Sequence, residues 1–215
     1  MSGFIESEME TALVAPFCFG QISVEKTSRG FELCHRDDQD RCKLEMFRNA
    51  GDAIEIARYD DDGNYRPLKT APNLRHGWQM DLGTVEELKR ALDNFYPGRL
   101  AVFAAWKSGR LRSTPLRERL DRQSGMYRIA ARISDAQIDD LVADFCTSNG
   151  GCLRTILWKR DQSGAIASTK LPEEKFEPNR NQVQAEKATP ATIPLLCQEA
   201  CNLLVAACRN VVKAE

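Results

Sequence analysis

The amino-acid sequence predicts an α+β protein with a small N-terminal α+β domain, residues 1–97, and a second α+β domain, residues 98–215. Strand-like runs and capped amphipathic helices occur in both parts, without the regular strand–helix alternation of a parallel sheet. The boundary follows from Tyr96-Pro97-Gly98, because proline cannot continue the helix pattern that precedes it. A length of 215 residues allows one large domain or two small ones.

The first half of the N-terminal domain is predicted to be mostly strands. Residues 21–27 and 31–35 have strand patterns on either side of a turn at Ser28-Arg29-Gly30. Residues 40–50 are compatible with a helix that ends at Gly51. The alternation of apolar and polar residues over 53–59 predicts a half-exposed strand.

The second half of this domain is predicted to hold a turn and a capped helix. The acidic run DDDGN, residues 60–64, departs from the calcium-loop pattern and is expected to be a solvated turn into a strand over 65–69. Thr84 and Glu87 make a capping box. The helix that starts there repeats apolar residues on one face, at Val85, Leu88, Leu92 and Phe95.

The C-terminal domain is predicted to contain two strands, three helices and a long polar loop. The strands are the apolar runs at residues 100–106 and 153–159. The helices begin at Pro115, at the capping box of Ser134 and Gln137, and at Thr192, with Pro194 in the first turn. Residues 160–190 are polar, contain two prolines and have little periodicity, which is typical of a long surface loop.

Composition limits the classes of function. The chain carries 30 basic and 31 acidic residues, so as a whole it is not a binder of polyanions. No apolar run approaches the roughly 20 residues of a membrane helix, and the acidic N-terminus lacks the basic start of a signal peptide. We therefore expect a cytoplasmic protein with no membrane partner, in which the eight cysteines are thiols or metal ligands rather than disulfides.

Four of the cysteines have informative positions. Cys146 and Cys152 flank a glycine-rich segment, CTSNGGC, and Cys197 and Cys201 lie one turn apart in the first turns of the predicted last helix. Glycines let a backbone bend around a metal cluster, and a helix N-terminus favours thiolate. The other cysteines, Cys18, Cys34, Cys42 and Cys208, lack such spacing and are expected to be structural or free thiols.

Spacing alone leaves three readings of these four cysteines open. Zinc gathers four sulfurs about 3.8 Å apart, given bonds of about 2.3 Å, and its structural sites favour a C-x2-C motif that this chain lacks. An iron–sulfur cluster binds each cysteine through a different iron, so it suits the wider spacing better. Buried cysteines that serve only as core residues are the third reading.

Three segments add a resemblance to a known family. YPGRLAVFAAWKSGRLRSTPLRERLDRQSGMYR, CTSNGGCLRTILW and LLCQEACNLLVAACR resemble the 4Fe–4S-binding domain at the C-terminus of some sirohydrochlorin-chelatase-related proteins. IEIARYDDDGNYRPLKTAPNLRHGWQM resembles the small stabilising domain that accompanies it. The resemblance covers most of residues 50–213 and implies that Cys146, Cys152, Cys197 and Cys201 bind one 4Fe–4S cluster. With two histidines and no alternating βαβ units, the chain does not match the chelatase domain, so the resemblance does not imply chelatase activity.

A basic segment lies between residues 99 and 132. It holds eight arginines and one lysine against only Glu118 and Asp121. Arginine suits carboxylate and phosphate, so the segment could neutralise the cluster, dock an acidic redox partner or bind a carboxylate-rich small molecule such as a tetrapyrrole precursor. Sparse aromatic residues disfavour nucleic acid. The alternative is a solvated face that pairs with the chain's own acids. The candidate anion-binding residues are Arg110, Arg112, Arg117, Tyr127 and Arg128.

These features favour an accessory protein over an enzyme acting alone. The sequence contains no nucleophile–base motif, Walker loop or dinucleotide fingerprint, and no catalytic residue is predicted. A cluster bound by four cysteines leaves no open iron for a substrate. We expect electron transfer or redox sensing, linked to tetrapyrrole metal handling. Two alternatives are an interaction module with a structural zinc or cluster, and an enzyme with an anionic-substrate pocket beside the cluster.

Overall fold

A computed structural model describes the chain at residue 13 and over residues 16–66, 70–122, 125–146, 152–161 and 191–214. Its contacts divide the chain into two compact units. The first unit reaches Arg110 and includes residues 191–195, and the second runs from Leu111 and includes the chain from Leu196 onward. Pro97 thus ends a helix, and the first unit continues for one more helix beyond it.

The described residues form eight strands and six α-helices. The strands are β1 (Phe17–Phe19), β2 (Ile22–Thr27), β3 (Gly30–His35), β4 (Glu45–Phe47), β5 (Trp78–Leu82), β6 (Thr155–Ile156), β7 (Ala191–Ile193) and β8 (Leu196–Cys197). The α-helices are α1 (Ala53–Ile56), α2 (Val85–Phe95), α3 (Arg99–Lys107), α4 (Leu116–Asp121), α5 (Asp135–Phe145) and α6 (Asn202–Ala214). The α+β class is confirmed. None of the described helices combines the length and apolarity needed to cross a membrane.

A mixed sheet organises the first unit, with strand order β4-β5-β3-β2-β1-β7. Strands β1, β2, β3 and β5 are antiparallel neighbours, whereas β4 and β7 add parallel edges. The predicted turn between β2 and β3 is confirmed, and it depends on Gly30. This residue has φ of 139°, and a Cβ there would lie 2.1 Å from the carbonyl oxygen of Leu82, so only glycine fits.

The predicted capping box starts α2 as expected. Thr84 Oγ1 accepts from the Glu87 backbone N–H at 3.2 Å, and Glu87 accepts from the Thr84 N–H at 3.1 Å. Because the helix repeats apolar residues on one face, it buries Leu88, Leu92 and Phe95 against the sheet core. The Phe95 ring stacks on Trp78 of β5, with 5.0 Å between ring centroids.

Three sequence predictions in this unit are wrong. Residues 40–50 do not form a helix, because Glu45–Phe47 pairs as β4 beside β5. The expected strand at 53–59 begins as helix α1, in which Ala53 and Ile56 face the core. The expected strand at 100–106 is α3, with Leu100, Val102, Phe103 and Ala104 buried. A short segment can match both the helical and the strand repeat of apolar residues, so tertiary packing rather than the sequence pattern decides its secondary structure.

The acidic run at residues 60–64 is the solvated turn that the sequence predicts. Asp60 Oδ1 accepts from the backbone N–H groups of Asp62 at 3.1 Å and Asn64 at 2.7 Å. Tyr59 and Tyr65 form an isolated antiparallel bridge across it. The rest of the expected strand at 65–69 extends into residues 67–69, which lie outside the described part of the chain.

The second unit has its own apolar core. The capping box at Ser134 and Gln137 is confirmed at the start of α5, which buries Ile138 and Val142. The core that these residues join consists mainly of Leu116, Leu120, Ala130, Ile133, Ile156, Trp158, Leu204 and Val205. Cys208 is fully buried within it, as expected for a structural thiol. The predicted strand at 153–159 contains β6, and most of the predicted loop at 160–190 lies outside the described residues.

Candidate metal centre

The four cysteines singled out by sequence all lie in the second unit. Cys146 directly follows α5, and Cys152 is buried shortly before β6. Cys197 lies in β8, where it pairs with Ile156 of β6, and Cys201 directly precedes α6. The prediction that Cys197 and Cys201 share the first turns of one helix is therefore wrong.

The reason for this error is the pairing of the segment before α6. Residues expected to form the start of the helix, from Thr192 to Cys197, instead contribute to β7 and β8. These two strands pair with β1 and β6, which satisfies their backbone groups without a helix. The helix begins only at Asn202, after a short connection that contains Glu199.

The structure brings the four cysteines around one region of the second core. Cys197 is part of the buried cluster, and Cys146 and Cys201 pack against it. The Cys146 thiol lies within electrostatic range of Cys152, Cys197 and Cys201. All four are free thiols rather than disulfides. These residues, distant in sequence, thus lie in one region of the second unit, although no three of their sulfurs, all in the described part of the chain, lie within 4.8 Å of one another. This region is the candidate metal centre.

The connection between Cys197 and Cys201 is held firmly in place. The Thr114 N–H donates to the Gln198 carbonyl at 3.0 Å, and the Leu157 N–H donates to the Cys197 carbonyl at 2.9 Å. Glu199 forms an ion pair with Arg119 at 3.0 Å and a longer one with Arg122 at 3.8 Å. Helix α4 and the β6 region therefore position the backbone that leads from Cys197 towards Cys201.

Burial governs the protonation of these cysteines. It raises the pKa of the Cys146 thiol, and neighbouring cysteines raise it further. Burial also raises the pKa of Cys197, although the Arg154 guanidinium and the Trp158 indole oppose that shift. Both thiols are consequently protonated near neutral pH in the absence of metal. A cationic metal centre would replace those protons, so its binding releases them.

Several groups beside the sulfurs suit an anionic cluster. Trp158 is fully buried, and its indole N–H interacts with Cys197 without the geometry of a full hydrogen bond. It is thus a buried donor left available for a sulfur acceptor. The Leu204 N–H, in the first turn of α6, points to Cys201 Sγ at 3.5 Å. Together with Arg154, these groups provide positive charge and N–H donors near the sulfurs, so the residues present suit a 4Fe–4S cluster.

Much of the basic segment is paired with the protein's own carboxylates. Arg117 donates to the Ala131 carbonyl at 3.1 Å and forms an ion pair with Asp135. Arg119 and Arg122 bind Glu199, and Arg122 also binds Glu118. These arginines therefore have acidic partners within the chain, as the self-paired alternative expects.

The other candidate anion-binding residues are distributed differently. Arg110 belongs to the first unit, where its Nε donates to Ser108 Oγ at 3.0 Å. Arg112 and Arg128 are exposed in the second unit. The side chain of Tyr127 lies outside the described part of the chain. Anion binding by Arg110, Arg112, Arg117, Tyr127 and Arg128 stays a prediction.

Sequence reasoning missed the residues that surround the cysteines. Glu199 lies inside the C-x3-C motif, and its partner Arg119 lies far away on α4, so nothing local marks the pair. Arg154 and Trp158 lie within the run LRTILWK, where only the strand pattern stood out. A signal for them would have required knowing that β6 and β8 are neighbours.

Each half of the chain matches a known family model. A model described as the DR2241 stabilising domain matches residues 7–110, and one described as a 4Fe-4S iron-sulfur cluster binding domain matches residues 108–210. No curated protein matches.

A solved structure extends these matches. It is DR2241 from Deinococcus radiodurans, a multi-domain protein described as structurally similar to chelatases, with two additional novel domains. The TM-score is 0.76 at 25% identity, and the match covers 99% of this chain but 42% of DR2241. The chain thus spans less than half the length of that protein. Its first half thus matches the DR2241 stabilising-domain model, and its second half matches the 4Fe–4S cluster-binding-domain model.

Proposed function

We propose that Cys146, Cys152, Cys197 and Cys201 hold one 4Fe–4S cluster, and that the protein works as an accessory in electron transfer or redox sensing. The observation that carries this proposal is the convergence of four free cysteines from distant segments on one buried region of a 4Fe–4S-binding domain. When bound, such a cluster supplies reversible one-electron chemistry.

The surrounding residues support a redox role over substrate chemistry. Four cysteine ligands would occupy all four irons, which leaves none for a substrate. Arg154, the Trp158 indole and the first turn of α6 place positive charge and N–H donors near the sulfurs. These groups stabilise added negative charge, so they favour the reduced state of the site.

The setting of this activity is proposed from chemistry and from the relative. DR2241 is described as similar to chelatases, which supports a link to tetrapyrrole metal handling. Eight free thiols are typical of a reducing compartment, which supports a cytoplasmic location. The exposed guanidinium groups of Arg112 and Arg128 suit an acidic redox partner or a carboxylate-rich small molecule.

A redox titration of protein purified without oxygen tests this function. Electron paramagnetic resonance should detect a signal that appears on reduction and disappears on reoxidation over repeated cycles. The Cys201→Ser variant should lose the signal, whereas Cys42→Ser should keep it, because Cys42 is exposed in the first unit. A cluster that is present but cannot be reduced and reoxidised without loss would contradict the redox role and leave a structural one.

A further inference from the structure

The two histidines of the chain lie together in the first unit, although 40 residues separate them in sequence. His35 ends β3, Asp38 closes the short 3-10 helix that follows, and His76 lies just before β5. The two imidazole rings are 3.7 Å apart between centroids. One ring nitrogen from each histidine and one carboxylate oxygen of Asp38 all lie within 4.8 Å of one another.

His35 has an unsatisfied atom. Its side chain is fully buried, and its Nε2 has no hydrogen-bond partner among the described residues. The other ring nitrogen, Nδ1, accepts from the Asp37 backbone N–H at 3.2 Å. Burial, assisted by His76, lowers the pKa of His35 to about 4, so the ring is neutral near pH 7. A buried polar atom without a partner is costly, and a ligand would remove that cost.

Asp38 provides a fixed negative charge beside the rings. Its side chain is almost fully buried, and it accepts from the Gly77 N–H at 2.6 Å and from Arg41 Nη1 at 3.1 Å. Burial acts to raise the pKa of Asp38, but these hydrogen bonds and that of His76 outweigh it and leave the pKa lowered. The carboxylate is therefore ionised and oriented before any ligand arrives.

A shallow, open groove lies over this cluster on the solvent side. It has a volume of about 570 Å³ and is lined by Asp37, Asp38, Asp40, Arg41, Asp61 and His76. Four carboxylates against one guanidinium make the groove negative, which concentrates cations near its walls. A small cation is favoured over a larger organic one, because His35 is fully buried and does not itself line the groove.

We propose that His35, Asp38 and His76 form a binding site for a divalent transition-metal ion such as Zn²⁺. Two imidazoles and one carboxylate are ligands that this class of ion prefers, and three protein ligands leave a coordination position open. The separation of 3.2 Å between His76 Nδ1 and Asp38 Oδ1 suits two neighbouring ligands, because bonds of about 2.0–2.1 Å in a tetrahedron place them about 3.3 Å apart.

Neighbouring carboxylates support both histidines in that role. Asp61 Oδ2 lies 3.7 Å from His76 Nε2, the ring nitrogen that does not contact Asp38, so its negative charge favours a proton on Nε2 and leaves Nδ1 for the metal. Binding through His35 Nε2 moves the ring proton to Nδ1. There the Asp37 carboxylate, with Oδ2 3.7 Å away, attracts the proton electrostatically, and the Asp37 N–H no longer donates to the ring.

Zinc binding to the full chain with its cluster in place tests this site, because the occupied cysteines cannot then compete for Zn²⁺. Equilibrium dialysis should find one zinc per chain in addition to the cluster iron. Asp38→Asn and His76→Gln should each weaken the affinity by at least about tenfold. Asp40→Asn is the matched control, since it removes one carboxylate from the same groove without removing a ligand. Its affinity should stay within about threefold of wild type.

Histidine NMR of the wild-type chain tests the same site without a substitution. Only two imidazoles are present, and the signals of both should shift on addition of one equivalent of Zn²⁺. The NMR titration tests the proposed zinc site even if the Asp38→Asn variant does not fold. Zinc that binds without moving either signal, equal affinities of Asp38→Asn and Asp40→Asn, or no zinc bound would each overturn the proposal.

Discussion

The cysteine centre of the second unit and the histidine–aspartate site of the first unit reach their ligand sets in opposite ways. At the cysteine centre, burial raises the pKa values of Cys146 and Cys197, so metal must displace protons before the ligands are complete. At the other site, His35 is already neutral and Asp38 already ionised. The first ligand set is therefore complete only when its metal has displaced the protons, whereas the second has its neutral imidazole and its carboxylate before metal binds. Loss of metal should therefore affect the second unit far more.

Removal of the cluster should have the largest effect. Ligand binding stabilises the folded state that binds it, and the cluster would join α5, β8 and the start of α6. After iron is removed, amide hydrogen exchange should accelerate in α6 and β8 and stay unchanged in β2 and β3. Equal acceleration in both units would contradict the proposed dependence.

Two core leucines provide a matched pair for the next largest effect. Leu88 lies in the first unit and Leu204 in the second, and both side chains are buried almost completely. Each change to alanine should lower the free energy of unfolding of its own unit by about 2–5 kcal/mol, through lost burial and a cavity. Leu204→Ala should also shorten cluster retention, whereas Leu88→Ala should not. Equal iron retention in both variants would show that this core does not hold the cysteines.

The first unit should lose stability at alkaline pH because of Tyr96. Burial raises the pKa of this phenol to about 12, although the Gln21 N–H that donates to its oxygen at 3.0 Å opposes the shift. The protonated phenol makes its full contribution to the free energy of unfolding below pH 10, which is about the pKa of tyrosine in the unfolded chain. This contribution, about 2–3 kcal/mol, is lost as the pH rises towards 12.

Urea unfolding of the first unit at pH 9 and pH 11.5 measures this loss. Tyr96→Phe lacks the ionisable group, so its stability should change less over the same interval, although it starts lower because the Gln21 N–H loses its acceptor. An identical decline in both proteins would assign the alkaline loss to another group.

The smallest effect is expected at Glu199. Glu199→Gln weakens the ion pairs with Arg119 and Arg122 that hold the connection between Cys197 and Cys201. Each partly exposed pair contributes about 0–1 kcal/mol, so stability should fall slightly while loss of iron to a chelator accelerates. Glu118→Gln is the matched control, because it removes another partner of Arg122 without touching this connection. Equal rates of iron loss in the two variants would contradict a positioning role for Glu199.

The comparison of the two units also shows what sequence could predict. Both capping boxes start helices where Thr84 and Ser134 indicated, because caps are local and backbone groups near them have few alternatives. The cysteine set was visible because its members are a rare residue type in spaced pairs.

Features fixed by tertiary pairing were not predictable. Residues 45–47 form a strand only because they pair with β5. Cys197 likewise lies in a strand only because β8 pairs with β6. His35 and His76 meet because β3 and β5 are neighbours in the sheet, and no spacing in the sequence indicates this. The turn of residues 60–64, which does not match a calcium loop, supplies Asp61 next to His76, because Asp61 Oδ1 accepts from the His76 N–H at 2.7 Å.

Iron and sulfide content most directly tests the central claim that four specific cysteines hold one cluster. Protein purified without oxygen should contain about four irons and four sulfides per chain. Single serine variants at Cys146, Cys152, Cys197 and Cys201 should each lose most of both, whereas the serine variant at the exposed Cys42 should keep them. Wild-type protein with one zinc and no sulfide, or full iron content in any of the four variants, would contradict the claim.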